Sequence, residues 1–284
     1  MKIGIVGLGL IGASIAKSLK INTSHVVFGI DKNHDINIKA KITRVIDDIL
    51  EGDLLSRCEV IFLALNPKEA IDYLKNNAEK INEDCIVLDC CGTKQYVSAE
   101  ASEIAKERGF TFIGTDPLAG GVQSGFENSK HKLFEGCDVV VTTQNDAPLL
   151  ALEKVSKLLT QIGFANIEMS TPREHDRITA YTTQLMRIVA SALVKSETAA
   201  EHIGFSDLNF ENMTRDAALD EKVWAELFLE NRENILTELE ALIKRLREYE
   251  TAMKNNSETE MLRLLKEGRE KKEYIDNKKE YLWK

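Results

Sequence analysis

Residues 7–12 read Gly7-Leu8-Gly9-Leu10-Ile11-Gly12, a spacing suited to holding a dinucleotide. Gly7 allows a tight turn, Gly9 lets a pyrophosphate approach the backbone, and Gly12 permits the following helix to pack closely on the preceding strand. The N-terminus of that helix adds N–H donors and the positive end of its dipole. The loop follows the apolar run KIGIV and is answered by a second run, HVVFGI, which ends in Asp31. A carboxylate at that distance accepts hydrogen bonds from an adenosine ribose and repels a 2′-phosphate. The expected cofactor is therefore NAD rather than NADP, with Lys32 next door pulling the other way. Leu65 and Asn66, at the end of the run VIFLAL, and Gly92, after the run CIVLDC, complete the cofactor set.

Other chemistry-bearing residue types give less. Cys58, Cys85, Cys90, Cys91 and Cys137 are odd in number and lack a CxxC spacing, so neither a disulfide framework nor a zinc site is expected. They read as small buried hydrophobes in a reducing cytoplasm. His25, His34, His131 and His202 have no ligand-like spacing, and no metal site is expected. His175-Asp176 opens a helical stretch, where Asp176 reads as an N-terminal cap or first-turn acid of that helix rather than as part of a catalytic pair.

The elements that must position these residues emerge from the pattern of apolar runs. KIGIVG, HVVFGID, VIFLAL, CIVLDC, FTFIGTD and DVVVTT are short, rich in Val, Ile and Phe, and separated by longer mixed stretches. That alternation predicts a mostly parallel sheet covered by helices, with strands buried on both faces. The four prolines end at Pro172, and beyond it only Gly204 and Gly268 interrupt the chain, which favours long helices. One helix is predicted from Asp176 to about Ile203, with Ile178, Leu185, Ile188, Val189, Ala192 and Leu193 facing the core. A second begins at Trp224 and carries the stripe Leu227, Phe228, Ile235, Leu239, Leu242, Ile243 and Leu246. Trp224 is placed in the core by this pattern, and the mixed-charge tail beyond Glu250 reads as a solvated helix.

The chain has 284 residues, 43% of them apolar and 29% charged, which suits a globular protein with a substantial core. With 37 Lys and Arg against 46 Asp and Glu, the net charge of −9 argues against nucleic acid or an anionic membrane as the main partner. No apolar run approaches the roughly 20 residues of a membrane span. The apolar N-terminus lacks a small-residue cleavage site and reads as structure rather than as a signal peptide.

Beyond these patterns, the chain resembles prephenate and arogenate dehydrogenases, the NAD(P)-dependent enzymes of tyrosine biosynthesis, along nearly its whole length. The likeness is carried by GLGLIGASIAKSL, GIDKN, DCCGTK at 89–94, and GTDPLAGGVQSGFENSKHKLFEGCDVVVTT from Gly114. REHDRITAYTTQL from Arg173 and FENMTRDAALDEKVWAELFLENRENIL from Phe210 continue it. The resemblance implies an α/β Rossmann-type NAD-binding domain over 1–170 and an all-α substrate and dimerisation domain over 171–284. It implies a homodimer, a small dicarboxylate substrate held between the domains, and oxidative decarboxylation of a cyclohexadienyl ring towards tyrosine. In such a reaction the ring alcohol gives up a hydride to NAD and a proton to a base, and loss of the ring carboxylate makes the ring aromatic.

The family's basic residue is the His of a GGHPMAG-like segment, and Asp116 stands there in Gly114-Thr115-Asp116-Pro117-Leu118-Ala119-Gly120. A second His, ending a THLPH-like segment, matches Arg187, and the Ser of a GS-x-K segment matches Gly92, just before Thr93 and Lys94. Arg215, in MTRDAA, matches the family's carboxylate-binding arginine. The catalytic set implied by the resemblance is thus Asp116, Arg187, Arg215 and Thr93, with Thr93 contacting nicotinamide or substrate and Lys94 a solvated helix start. Two readings stand for the departures. Asp116 is a working base with Arg187 as an added carboxylate clamp, or the two pair across the cleft and close it. The second reading is that the scaffold binds NAD but acts on a different substrate or on none.

Overall fold

The computed structural model describes residues 1–119, 124–143, 147–201 and 208–282. The apolar runs form strands β1 (Lys2–Val6), β2 (Val26–Ile30), β4 (Val60–Leu63), β5 (Ile86–Asp89), β6 (Thr111–Pro117) and β7 (Asp138–Thr142). Two further strands join them, β3 (Asp48–Ile49) and β8 (Asn166–Ser170), in one sheet of order β3-β2-β1-β4-β5-β6-β7-β8. Pairing is parallel throughout except between β6 and β7. The chain works outward from β1 to β3, then returns to place β4 on the other side of β1, and that reversal leaves a crevice at the carboxyl ends of the central strands.

Alternate side chains of the strands feed two apolar layers. Ile3, Ile5 and Val139 pack with α1 (Leu10–Asn22) and, further along the chain, α5 (Leu149–Ile162). Val6, Ile61, Leu63 and Val87 pack on the opposite face with α3 (Pro67–Asn77) and α4 (Gln95–Arg108). Between them in sequence, α2 (His34–Ile42) follows β2 and is capped by Asn33, whose side chain accepts from Asp35 N at 3.0 Å.

After β8 the chain is helical: α6 (Pro172–Thr179), a π-helical segment (Ala180–Leu185), α7 (Met186–Leu193), α8 (Glu197–Glu201), α9 (Leu208–Thr214), a short turn at Arg215–Ala217 and α10 (Glu221–Glu230). The single helix predicted from Asp176 is thus replaced by several pieces, and its expected end near Ile203, with His202, lies outside the described residues. It also begins earlier, because Thr171-Pro172-Arg173-Glu174 is a helix start. The Thr171 side chain accepts from Glu174 N at 3.2 Å, with proline at the first helical position. Asp176 is therefore not this helix's cap. Of its expected core face, Leu185 is buried while Ile178, Ala192 and Leu193 are exposed.

The stripe from Trp224 is likewise divided, since α10 ends at Glu230 and α11 (Arg232–Lys254) begins after Asn231. Asn231 leaves helical geometry (φ −102°, ψ 21°), and its buried side-chain amide donates to Asp176 O and Gln184 Oε1, both at 2.7 Å. Contacts divide the chain into two compact units, Met1–Arg232 and Glu233–Lys284. In the second unit α11 turns at Asn256 (φ +46°) into α12 (Glu258–Leu282), the mixed-charge tail. Its exposed face carries pairs such as Arg263–Glu260 at 2.9 Å. No helix among the described residues is long and apolar enough to cross a membrane.

One polar cluster is buried under the carboxyl edge of the sheet. Lys94, expected at a solvated helix start, is fully buried and pairs with the equally buried Asp89 at the end of β5. Asp89 also accepts from Cys91 N at 2.9 Å and Thr115 N at 3.3 Å, which ties the end of β5 to β6. Gly114 makes room for this arrangement: a Cβ there would meet Thr142 Oγ1 at 2.2 Å and Asp89 Oδ1 at 3.3 Å. Truncating Asp89 leaves the Lys94 charge uncompensated in the interior. Asp89→Ala is expected to destabilise the fold by about 3–5 kcal/mol, read as a lowered urea midpoint, whereas a loss below about 1 kcal/mol would contradict a buried pair.

Candidate active site

The crevice at the strand ends opens into a cleft of about 1460 Å³. That exceeds the 300–1,000 Å³ typical of a drug-sized ligand site and leaves room for a dinucleotide and a second molecule. Gly7, Gly9, Leu10, Ile11, Asp31, Lys32, Leu65, Asn66 and Gly92 all line it. Gly7 has φ +91°, and a Cβ there would strike Ala64 O at 2.3 Å, so the turn requires glycine. A Cβ on Gly12 would lie 1.9 Å from Gly7 O, which sets how closely α1 approaches β1. At Gly9 a Cβ would meet nothing within 4 Å, so the backbone there faces open space that a pyrophosphate can enter.

Leu8 and Gly12 do not line the cleft themselves. Leu8 is a core side chain whose N–H donates to Asp31 Oδ2 at 2.8 Å, and Gly12 acts through packing. Asp31 is held by Asn37, which accepts from Asp31 N at 2.7 Å and donates to Asp31 O at 2.9 Å. Its Oδ1 accepts from Asn33 N at 2.9 Å and retains acceptor capacity for a ribose hydroxyl. Lys32 pairs with Glu69, 2.8 Å away, and Asp72 lines the same end. The residues present fit a dinucleotide whose ribose carries no phosphate.

At the other end Asp116, Arg187 and Arg215 all line the cleft. Thr93 does not: it is buried and its hydroxyl donates to Glu230 Oε2 at 2.7 Å, which turns it away from the cleft. Burial raises the Glu230 carboxyl pKa despite that bond. Trp224, expected in the core, instead lines the cleft beneath the Arg187 guanidinium, 4.3 Å from its ring centre. This contact and the bond from Arg187 Nη1 to Thr183 O, 3.1 Å, hold the arginine along one wall. Burial lowers the pKa of Arg187, opposed by the charges of Asp216 and Asp116, so an anion arriving there meets a poorly hydrated cation. Arg215 is more exposed and lies 3.6 Å from Asp216.

Among the described residues Asp116 makes no ion pair with Arg187. Its partner is His175, with Nε2 at 3.0 Å from Asp116 Oδ2. The other ring nitrogen, Nδ1, lies 2.9 Å from Asp176 Oδ1. Asp176 in turn accepts from Lys94 N at 2.7 Å and Gln95 N at 2.9 Å, so its carboxylate caps the start of α4 from another helix. A carboxylate with three such donors is an acceptor only, which fixes the proton on Nδ1 and leaves Nε2 as the exchangeable site. Burial pulls the pKa of His175 down, but the hydrogen bonds to Asp116 and Asp176 prevail and the net shift is upward. His175 was invisible as a site residue in the sequence, where the adjacent acid reads as a cap. The only signal was the pair itself, placed just after a strong helix start.

The chain matches two family models in succession: prephenate dehydrogenase, nucleotide-binding domain, over residues 15–168, and prephenate dehydrogenase, dimerization domain, over residues 171–267. It is 27% identical to a prephenate dehydrogenase of Bacillus subtilis over 94% of this chain and 74% of that one. It is 24% identical to a cyclohexadienyl dehydrogenase of Zymomonas mobilis over 94% and 93%. A solved prephenate dehydrogenase of Aquifex aeolicus, in complex with hydroxyphenyl propionate and NAD+, superposes with a TM-score of 0.83 at 27% identity, covering 97% of this chain and 98% of that one.

The raised pKa of His175 fixes the sign of a pH effect on stability. Folding favours its protonated form, so the contribution is fully present below the unfolded value near 6.5 and disappears as pH rises through the higher folded value. Urea unfolding between about pH 5.5 and 9 is expected to show the wild type's advantage over His175→Gln shrinking as pH increases. A gap that stays constant over that range would contradict the assigned protonation.

Proposed function

Because this chain belongs to the prephenate dehydrogenase family, we propose that it oxidises a cyclohexadienol dicarboxylate of the prephenate or arogenate type. It is an oxidoreductase with NAD as cofactor. One observation carries the substrate assignment: Asp116, Arg187 and Arg215 face one cleft that also holds the glycine loop. The bound oxidised nicotinamide supplies an acceptor for the hydride of the ring carbinol. Asp116 accepts the hydroxyl proton as that carbon is oxidised. Arg187, flattened on Trp224, and Arg215 hold the carboxylates and orient the ring. The pairing of Asp116 with His175 rather than with Arg187 supports the open-site reading over the closed one. Glu69, by occupying Lys32, supports NAD over NADP. We assign a homodimer to the region matching the dimerization model and a reducing cytoplasm to a protein whose five cysteines are all free.

NADH formation with prephenate and, separately, arogenate tests this directly. Turnover with one of them is expected. Absence of turnover with both, with NAD binding intact, would mean another substrate or a lost activity. Asp116→Asn should lower kcat by about 10²–10⁴-fold and leave the Kd for NAD unchanged; undiminished turnover would remove Asp116 as the base. Glu69→Gln should free Lys32 and shift the NADP/NAD affinity ratio towards NADP by about tenfold. No change in that ratio would show that Lys32 has no part in cofactor choice.

A further inference from the structure

We propose that His175 is the store for the proton that Asp116 takes from substrate, so that Asp116, His175 and Asp176 act as one relay from the cleft to the start of α4. The proposal rests on the reading of Asp116 as the base. Asp116 bridges two environments: Oδ2 faces His175 Nε2 at 3.0 Å, while Oδ1 has no hydrogen-bond partner among the described residues, and the side chain lines the cleft. The imidazole side chain is 1% exposed and the Asp116 side chain 15%, so substrate can reach the carboxylate more readily than the ring.

A lone carboxylate with an ordinary pKa near 4 is a weak proton acceptor at neutral pH, and an acceptor near 6–7 is better matched to the task. The imidazole behind Asp116 is a stronger acceptor, its pKa raised by the two carboxylates that flank it. Asp176 keeps the Nδ1 proton in place, so when the pair is deprotonated the Nε2 lone pair confronts Asp116 Oδ2 with nothing between them. Taking up one proton there replaces repulsion by a charge-assisted hydrogen bond. The substrate O–H bond breaks with its proton passing to Asp116 Oδ1 while the carbinol C–H bond breaks and C=O forms; a bound nicotinamide would take up that hydride. A half-turn of the carboxyl then carries the proton to Nε2, ending as imidazolium beside carboxylate.

The groups around the ring act in known directions. Asp116 on β6 and Asp176 on α6 favour the imidazolium; burial and the charge of Lys94 at the start of α4 oppose it. Lys94 is itself paired with Asp89 on β5. Arg187 faces Asp116 across the cleft. The active form is the deprotonated pair, so kcat should rise with pH through a pKa above the ordinary histidine value. His175 is a positioning residue in this scheme, since its ring, 1% exposed at the cleft wall, acts on the substrate proton through Asp116.

Two measurements on the full chain test it. In NMR titration of the histidine ring signals without substrate, His175 should titrate above about 6.5 in the wild type and at least one unit lower in Asp116→Asn. An unchanged titration would overturn the coupling whatever the substrate proves to be. In kinetics, His175→Gln should lower kcat about 10–100-fold, with Kd for NAD and KM nearly unchanged, and move the acidic limb of the kcat profile towards the carboxylate range. His175→Asn provides the same readout if the first variant does not fold. A profile with its limb in the wild-type position would overturn the relay. Failure of every cyclohexadienol substrate, with the coupled titration observed, would instead remove the functional reading.

Discussion

Two backbone N–H groups at the start of α4 end on a carboxylate that belongs to another helix. Asp176 accepts both, and its remaining capacity fixes the imidazole of His175. Its main-chain carbonyl takes the side-chain amide of Asn231, where α10 gives way to α11. One residue thus binds the sheet's carboxyl edge to the helices that wall the substrate end of the cleft. Without its carboxylate, two helix-start donors and a ring N–H would lose their acceptor. Unsatisfied buried donors cost about 1–3 kcal/mol each, so satisfaction of these polar groups contributes to holding the arrangement.

The buried Asp89–Lys94 pair plays the corresponding part on the sheet side. Asp89 closes the ends of β5 and β6 together, and Asp116 follows Thr115 by one residue. The reacting carboxylate therefore inherits its position from a register fixed by a charge that has no contact with substrate. The same pair leaves little net charge beneath the site.

Most of the sheet was legible because each buried strand is a short, continuous Val-, Ile- and Phe-rich run. β3 and β8 were not: the first is two residues long, and the second, NIEMS, exposes Glu168 and Met169. The cofactor end was legible because the glycine loop, Asp31 and their spacing are local in sequence. At the substrate end the resemblance pointed to Asp116, Arg187 and Arg215, which line the cleft, but not to the partner of Asp116. Asp116 and His175 are 59 positions apart, and nothing in either segment signals the other. Composition also misled at Lys94 and Trp224, where a charge is buried and an aromatic ring serves as a wall. Helix continuity failed where a side chain, Asn231, found a better partner outside its own helix.

The segment Ala180–Leu185 winds with a wider, i to i+5, repeat between two ordinary helices. Each residue added to an α-helix advances its direction by about 100°, so a wider turn works as a phase shifter. The helices on its two sides no longer keep a common azimuth. His175 and Asp176 lie before it and Arg187 after it, yet His175 and Arg187 both reach the same cleft. That one turn sets the phase between the relay and the clamp, and its Thr183 carbonyl then holds Arg187 in place.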